Sequence, residues 1–363
     1  MQLKKLLLFL FICLSLSCST QILDINHTFI YSGRVEKLTD NKVILIGSGS
    51  SVSFKFKGNQ CSISLQSIEE HQNYVSLELD GIYIGRIRIE KGALQSFPII
   101  ISKNRKLHSL TIYKATEAAN GGVLFNGTSA KITKINPVNK KKIEFIGDSI
   151  TCGMGNDLAS IPCGAGEWFD QHNAFLAYGP VASRALNVDF MLSSVSGIGM
   201  YRNWNDEHTD ESIMPEVYGN LYLNTTVTKK PYDFTFQPDL VSICLGTNDL
   251  SQGDGKKERL PFSEEKFISN YISFIKTVYQ HSPNTRIVLL NSPMVAGENN
   301  LILMYCLKKI IQAFENDKAH KKITLFEFQA MNPKGCGYHP EIADDKILAD
   351  QLTPLFKKLL DET

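Results

Sequence analysis

The segment "INPVNKKK", Ile135–Lys142, separates two stretches that obey different hydrophobic periods, and a chain with that break must build two kinds of core. Before it, short segments alternate apolar and polar residues: "KVILIG", "SVSFKFKG", "CSISLQS", "YVSLELDG", "IYIGRIRIE" and "HSLTIYKAT". Gly, Asn and Asp punctuate them, so they read as antiparallel strands joined by turns, stacked in a β-sandwich of the jelly-roll type over residues 22–136. The "DG" at Asp80 and Gly81 is the clearest hairpin signal, because the favoured two-residue turn needs positive φ at both positions.

Past Pro137 strands and helices take turns, which defines a second domain over 140–363. The expected strands are Ile143–Ile146, the run from Val188 into "MLSSVSG", then "DLVSICLG", "RIVLLNS" and "ITLFEF". Helices are expected near His172–Leu186, around Phe267, Ile268, Tyr271, Ile272, Ile275 and Val278 on one face, near Leu301–Phe314, and from Pro340 to the end. Apolar strands separated by amphipathic helices imply a five-stranded parallel sheet covered on both faces, since parallel neighbours need crossover connections. In such sheets ligands bind beyond the carboxyl ends of the strands. At 363 residues and 43% hydrophobic, the chain is long enough for both cores.

Lys and Arg total 38 against 37 Asp and Glu, so no excess of positive charge exists to hold nucleic-acid phosphates. A neutral or locally recognised substrate is the expected partner. The first residues, "MQLKKLLLFLFICLSLSCST", place Lys4 and Lys5 before an apolar run and then small residues, the order of a secretory signal over 1–18. The run is too short for a good membrane span, although an N-terminal anchor is the alternative reading. Cys18 loosely matches the site of bacterial lipoprotein lipidation, and membrane contact is expected only through such a lipid. Export permits disulfides, for which Cys152 and Cys163 are the expected pair because both fall in one loop-like stretch. Cys244 and Cys306 read as buried free thiols, no spacing suggests a metal site, and no cofactor is expected.

Four blocks fall after the strands on one edge of the expected sheet. Ser149 in "EFIGDSITCGMG" follows the first strand, Gly197 and Gly199 the second, "GTND" with Asn248 the third, and His339 the fifth. Each has a bland reading: Ser149 as a helix cap, the glycines as a turn, Asn248 as a loop brace, His339 as a surface residue before a helix starting at Pro340. Together they supply an acyl-transfer apparatus, because a serine hydroxyl needs a base and the oxyanion it creates needs donors. Asp148 and Asp249 read as structural acceptors of nearby N–H groups.

In that order, "GDSIT", "SGIG", "GTND" and "YHP" resemble the SGNH branch of the GDSL hydrolases, whose α/β fold is flavodoxin-like. Nearly the whole chain is similar to carbohydrate esterase family 2 through "YSGRVEKL", "LTIYKATEA", "VSGIGMYRNW" and "CLGTNDLSQG". That family's jelly roll precedes an SGNH domain, and its members remove acetyl groups from plant polysaccharides. The resemblance implies Ser149 as nucleophile, His339 as base, and the Ser149 and Gly197 N–H groups with the Asn248 side chain as oxyanion donors. It further implies an acetyl-serine intermediate and an acetylated xylan, glucomannan or related substrate.

One departure stands beside His339. Where relatives place an Asp two or three residues before the base, this chain has Cys336 and Gly337. A backbone carbonyl from Gly335–Gly337 can hold the useful imidazole tautomer in its place, giving a Ser-His dyad; an inert site or a carboxylate from elsewhere are the alternatives. Trp168 and Trp204 lie in loops on the same edge and are candidates for stacking on sugar rings, or for core packing. Arg202 and Asn203 are candidates to reach substrate hydroxyls or to hold their loop. Competing functions are a lipid or thioester hydrolase on the same scaffold and a catalytically degenerate carbohydrate-binding protein.

Overall fold

The computed structural model describes residues 28–39, 42–101, 107–225, 230–329 and 331–362. The expected signal over 1–18 and Cys18 lie outside the described residues.

The first part of the chain is all β. One sheet runs Ile30–Ser32, Ser51–Lys57, His108–Lys114, Asn73–Leu79, Ile82–Ile89, with Lys131–Thr133 also paired to Ser51–Lys57; the other runs Val35–Thr39, Lys42–Leu45, Val123–Thr128, Gln60–Ser67, Gln95–Ile100. Every pairing is antiparallel. Alternation does the folding: Val52, Phe54 and Phe56 of one strand, Ile63 and Leu65 of another, and Leu110, Ile112, Val123 and Phe125 all point into one core between the sheets. Asp80 and Gly81, at φ 54° and 79°, make the two-residue turn that joins Leu79 to Ile82.

The second part carries a parallel five-stranded sheet in the order Asp189–Ser194, Lys142–Gly147, Leu240–Cys244, Arg286–Leu290, Thr324–Phe326. Successive residues of each strand feed opposite cores. Ile143, Phe145, Leu240, Val288 and Leu290 pack with Tyr178, Ala182, Leu348, Leu352 and Phe356 of helices Tyr178–Leu186 and Ile342–Asp361. Ile146, Val241, Ile243, Ile287 and Leu289 pack with Phe267, Tyr271, Ile275, Leu303, Leu307 and Ile310 of helices Glu264–His281 and Gly297–Gln312. Strands buried on both faces read as unbroken apolar runs, which is how they appear in the sequence. The helix expected from His172 begins only at Tyr178, because the side chains of His172 and Asn173 are spent on Gly155 N–H, on Asp157 and on the Tyr83 hydroxyl of the sandwich.

Buried polar contacts join the two parts. Arg34 donates to the Ser193 hydroxyl and to the Asn220 and Tyr218 carbonyls at 2.7 and 2.9 Å, and Ser193 in turn donates to Glu144 at 2.6 Å. Farther along the interface Tyr74 and Gln72 donate to Asp170, and Ser76 to Asn173. The long loop after the first parallel strand therefore rests on the sandwich rather than projecting from it.

Candidate active site

The first parallel strand ends at Gly147, where a Cβ would lie 2.1 Å from the Thr151 hydroxyl, so the chain can turn tightly only without a side chain there. Asp148 caps the short helix Ser149–Cys152 by accepting from Ile150 N–H at 3.1 Å. That assigns the capping task to Asp148 and leaves the Ser149 hydroxyl for other work. It lies 2.7 Å from His339 Nε2.

The other ring nitrogen identifies the tautomer. Nδ1 faces the carbonyls of Gly337 at 2.9 Å and Cys336 at 3.2 Å, which can only accept, so Nδ1 carries the proton and Nε2 is free to accept from Ser149 Oγ–H. Gly337 and Tyr338, at φ 61° and 63°, turn the backbone so that these carbonyls aim at the ring. Burial holds the His339 pKa below the ordinary imidazole value, outweighing the two carbonyls. The imidazole is therefore neutral at neutral pH.

The Gly197 and Asn248 blocks meet each other beside the Asp148–Ser149 turn. Gly197 sits at φ 78°, and its carbonyl accepts from Trp204 N–H at 2.8 Å, closing the loop on itself. Asn248, in the helix Thr247–Leu250, donates from Nδ2 to Ile198 O at 2.8 Å and lies 3.4 Å from Asp148 Oδ2. The loop is pinned by Asp249, whose carboxylate accepts from Met200 and Tyr201 N–H at 2.8–3.0 Å and from Arg202 N–H at 3.3 Å. Burial raises the pKa of both Asp148 and Asp249 to about 6, against the hydrogen bonds that favour their charged forms.

Two expectations need correction. Cys152 does not pair with Cys163: the disulfide joins Cys163 to Cys336, 173 residues on, while Cys152 is a buried free thiol. The reason is direction. Cys152 points inward from its helix toward Glu117 and Ser194, and Cys163 lies in the outer loop across from Cys336. Arg202 and Asn203 do not reach outward either. Arg202 is buried and spends its guanidinium on Asp249 O, Glu207 and Leu260 O; Asn203 accepts from Gly199 N–H and donates to Glu211 and Ser212 O. Both hold the loop. Trp168 and Trp204 are 48% and 45% exposed, which removes the core-packing reading. Two residues that lie in the quoted blocks without an assigned role also stand at the site: Tyr338, 83% exposed beside His339, and Glu117, a buried carboxylate from the sandwich that accepts from Ser196 N–H at 2.6 Å.

A capped helix carrying a serine against a backbone-held histidine, at the carboxyl edge of a parallel sheet, defines an SGNH-type hydrolase. Residues 145–347 match the GDSL-like lipase/acylhydrolase family, and the chain belongs to it. Residues 31–138 match the N-terminal domain of carbohydrate esterase 2. Over 329 residues the chain is 28% identical to an acetylxylan esterase/glucomannan deacetylase of Cellvibrio japonicus, covering 88% of this chain and 87% of that one. It is also 28% identical to the cellulase/esterase CelE of Acetivibrio thermocellus, covering 92% of this chain but only 40% of the longer relative. The fold matches a family two carbohydrate esterase from Clostridium thermocellum, solved in complex with cellohexaose, with TM-score 0.81 and 25% identity over 92% of this chain and all (100%) of that one.

Proposed function

We propose that the protein is an exported serine esterase that removes O-acetyl groups from plant cell-wall polysaccharides such as xylan or glucomannan. The observation that carries this reading is the Ser149 Oγ to His339 Nε2 contact of 2.7 Å, with Nδ1 held by backbone carbonyls. His339 takes the Ser149 proton as Oγ attacks the acetyl carbonyl. The Ser149 and Gly197 N–H groups and the Asn248 amide meet the oxyanion, and return of the proton to the sugar oxygen expels the deacetylated glycan. Water activated by the same imidazole then releases acetate. Backbone carbonyls perform the tautomer-fixing task that the carboxylate of a Ser-His-Asp triad performs elsewhere, so the machinery is a dyad.

Acetyl specificity and glycan substrates rest on the relatives, named as acetylxylan esterases and glucomannan deacetylases. Exposed Trp168, Trp204 and Tyr338 offer ring faces on which sugars stack. We read the sandwich as a jelly roll and the second domain as flavodoxin-like from its strand order. Export follows from the basic-apolar start of the chain and accords with a disulfide; Cys18 is the residue a lipid would occupy at a cell surface.

The test is acetate release from 4-nitrophenyl acetate and from acetylated xylan or glucomannan. Wild type is expected to turn over both, and Ser149→Ala neither. Equal rates in the two proteins contradict the assignment. A preference for long acyl chains points to a lipid or thioester hydrolase, and glycan binding without turnover to a binding protein.

A further inference from the structure

Glu117 belongs to the sandwich by sequence and to the site by position. It follows the strand His108–Lys114, is wholly buried, and its own backbone is fixed: Lys114 Nζ donates to its carbonyl at 2.6 Å and Asn120 Oδ1 accepts its N–H at 3.3 Å. From that anchor the carboxylate reaches two of the three proposed oxyanion-donor segments, the Ser149 helix and the Gly197 loop. Oε2 accepts from Ser196 N–H at 2.6 Å, one residue before Gly197, and from Cys152 Sγ–H at 3.3 Å, one turn after Ser149.

The second oxygen reaches toward the base. Glu117 Oε1 and His172 Nε2 face each other at 3.6 Å, both buried and without another partner among the described residues. His172 Nδ1 accepts from Gly155 N–H at 3.4 Å, which leaves the proton on Nε2, aimed at Glu117. The Gly155 carbonyl accepts from Cys336 N–H at 2.9 Å, and the Cys336 carbonyl is one of the two that hold His339 Nδ1. One carboxylate thus underpins the nucleophile helix, the Gly197 loop and, through His172 and Gly155, the turn that carries the base.

We propose that Glu117 is a positioning residue for the hydrolysis, supplied by the first domain, which sets the spacing between Ser149, Gly197 and His339 through Ser196, Cys152 and His172. The proposal rests on the function proposed above. It gives the sandwich a task in the chemistry that needs no contact between the sandwich and glycan.

Lys114, His172 and Cys152 are the titratable groups that face Glu117, and His339 feels both Glu117 and His172. Burial opposes Glu117 ionisation, but the facing His172 and the Ser196 N–H outweigh it and keep the carboxylate charged. That charge favours the imidazolium form of His339.

Glu117→Gln in the full chain keeps the shape and removes the charge. With 4-nitrophenyl acetate, kcat is expected to fall roughly 10- to 100-fold with KM within about two-fold, as small misplacements of reacting groups do. The acid limb of kcat/KM is expected to move to lower pH, because the anion favouring protonated His339 is gone; a merely structural role would lower Tm and leave that limb in place. Glu117→Gln that folds with wild-type kcat and pH profile, while Ser149→Ala is inactive, overturns the proposal alone; an active Ser149→Ala overturns the function it rests on. If Glu117→Gln does not fold, Cys152→Ala removes one donor without changing charge. A several-fold fall in kcat at constant KM then supports the proposal, and an unchanged kcat overturns it.

Discussion

The two sides of Ser149 are held by different means. On the proposed oxyanion side, buried carboxylates do the holding: Asp249 collects the N–H groups of Met200, Tyr201 and Arg202, Asp148 caps the serine helix, and Glu117 fixes Ser196. On the base side, among the described residues, no carboxylate hydrogen-bonds to His339, and the ring is held by carbonyls of a turn tied down by the Cys163–Cys336 disulfide. The difference follows from what each side must present. Two of the three proposed oxyanion donors are backbone N–H groups, and a carboxylate can gather the neighbouring N–H groups of a loop into a fixed curve. The base needs only one tautomer and one orientation, which a carbonyl supplies without adding charge beside the imidazole.

Breaking the oxyanion side should cost most. Asn248→Ala removes one proposed donor and is expected to lower kcat by roughly 100- to 1,000-fold with little change in KM, measured on 4-nitrophenyl acetate. A loss below ten-fold would take Asn248 out of the donor set. Breaking the base side at the disulfide should cost less. Cys163→Ser with Cys336→Ser, or reduction by a dithiol, is expected to lower stability by about 2–4 kcal/mol, read by denaturant unfolding. Because the two carbonyls remain in the chain, kcat is expected to fall only several-fold at temperatures where the protein stays folded. Complete loss of activity in the folded, reduced protein would show that the covalent tie, rather than the carbonyls, orients the base.

The parts that were legible in the sequence are local. The apolar strands and the four blocks after them each lie within a few consecutive residues, so periodicity and strand-end position found them. Edge strands such as Val35–Thr39 and Gln95–Ile100 were not legible, because they lie largely at the surface and their side chains carry little alternation to read. The disulfide joins loops far apart in the chain and could not be chosen by spacing. Arg202 and Asn203 have side chains equally suited to substrate and to loop, and only their burial decides between the two. Glu117 lies within the block "LTIYKATEA" that carries the family resemblance, yet nothing local gives it a role: one acidic residue after a strand reads as surface charge, and the role proposed for it depends on a second domain that begins some residues later.

The central claim is that His339 works as a base held by backbone alone, and the pH dependence of kcat/KM tests it most directly. The free base must be neutral, and burial outweighs the two carbonyls and the more distant Glu117 charge to lower its pKa, so activity should persist as pH falls past the ordinary histidine value of 6.5 and the acid limb should have its midpoint below it. A midpoint at or above 6.5, as a carboxylate hydrogen-bonded to Nδ1 would produce by stabilising the imidazolium, would contradict the account.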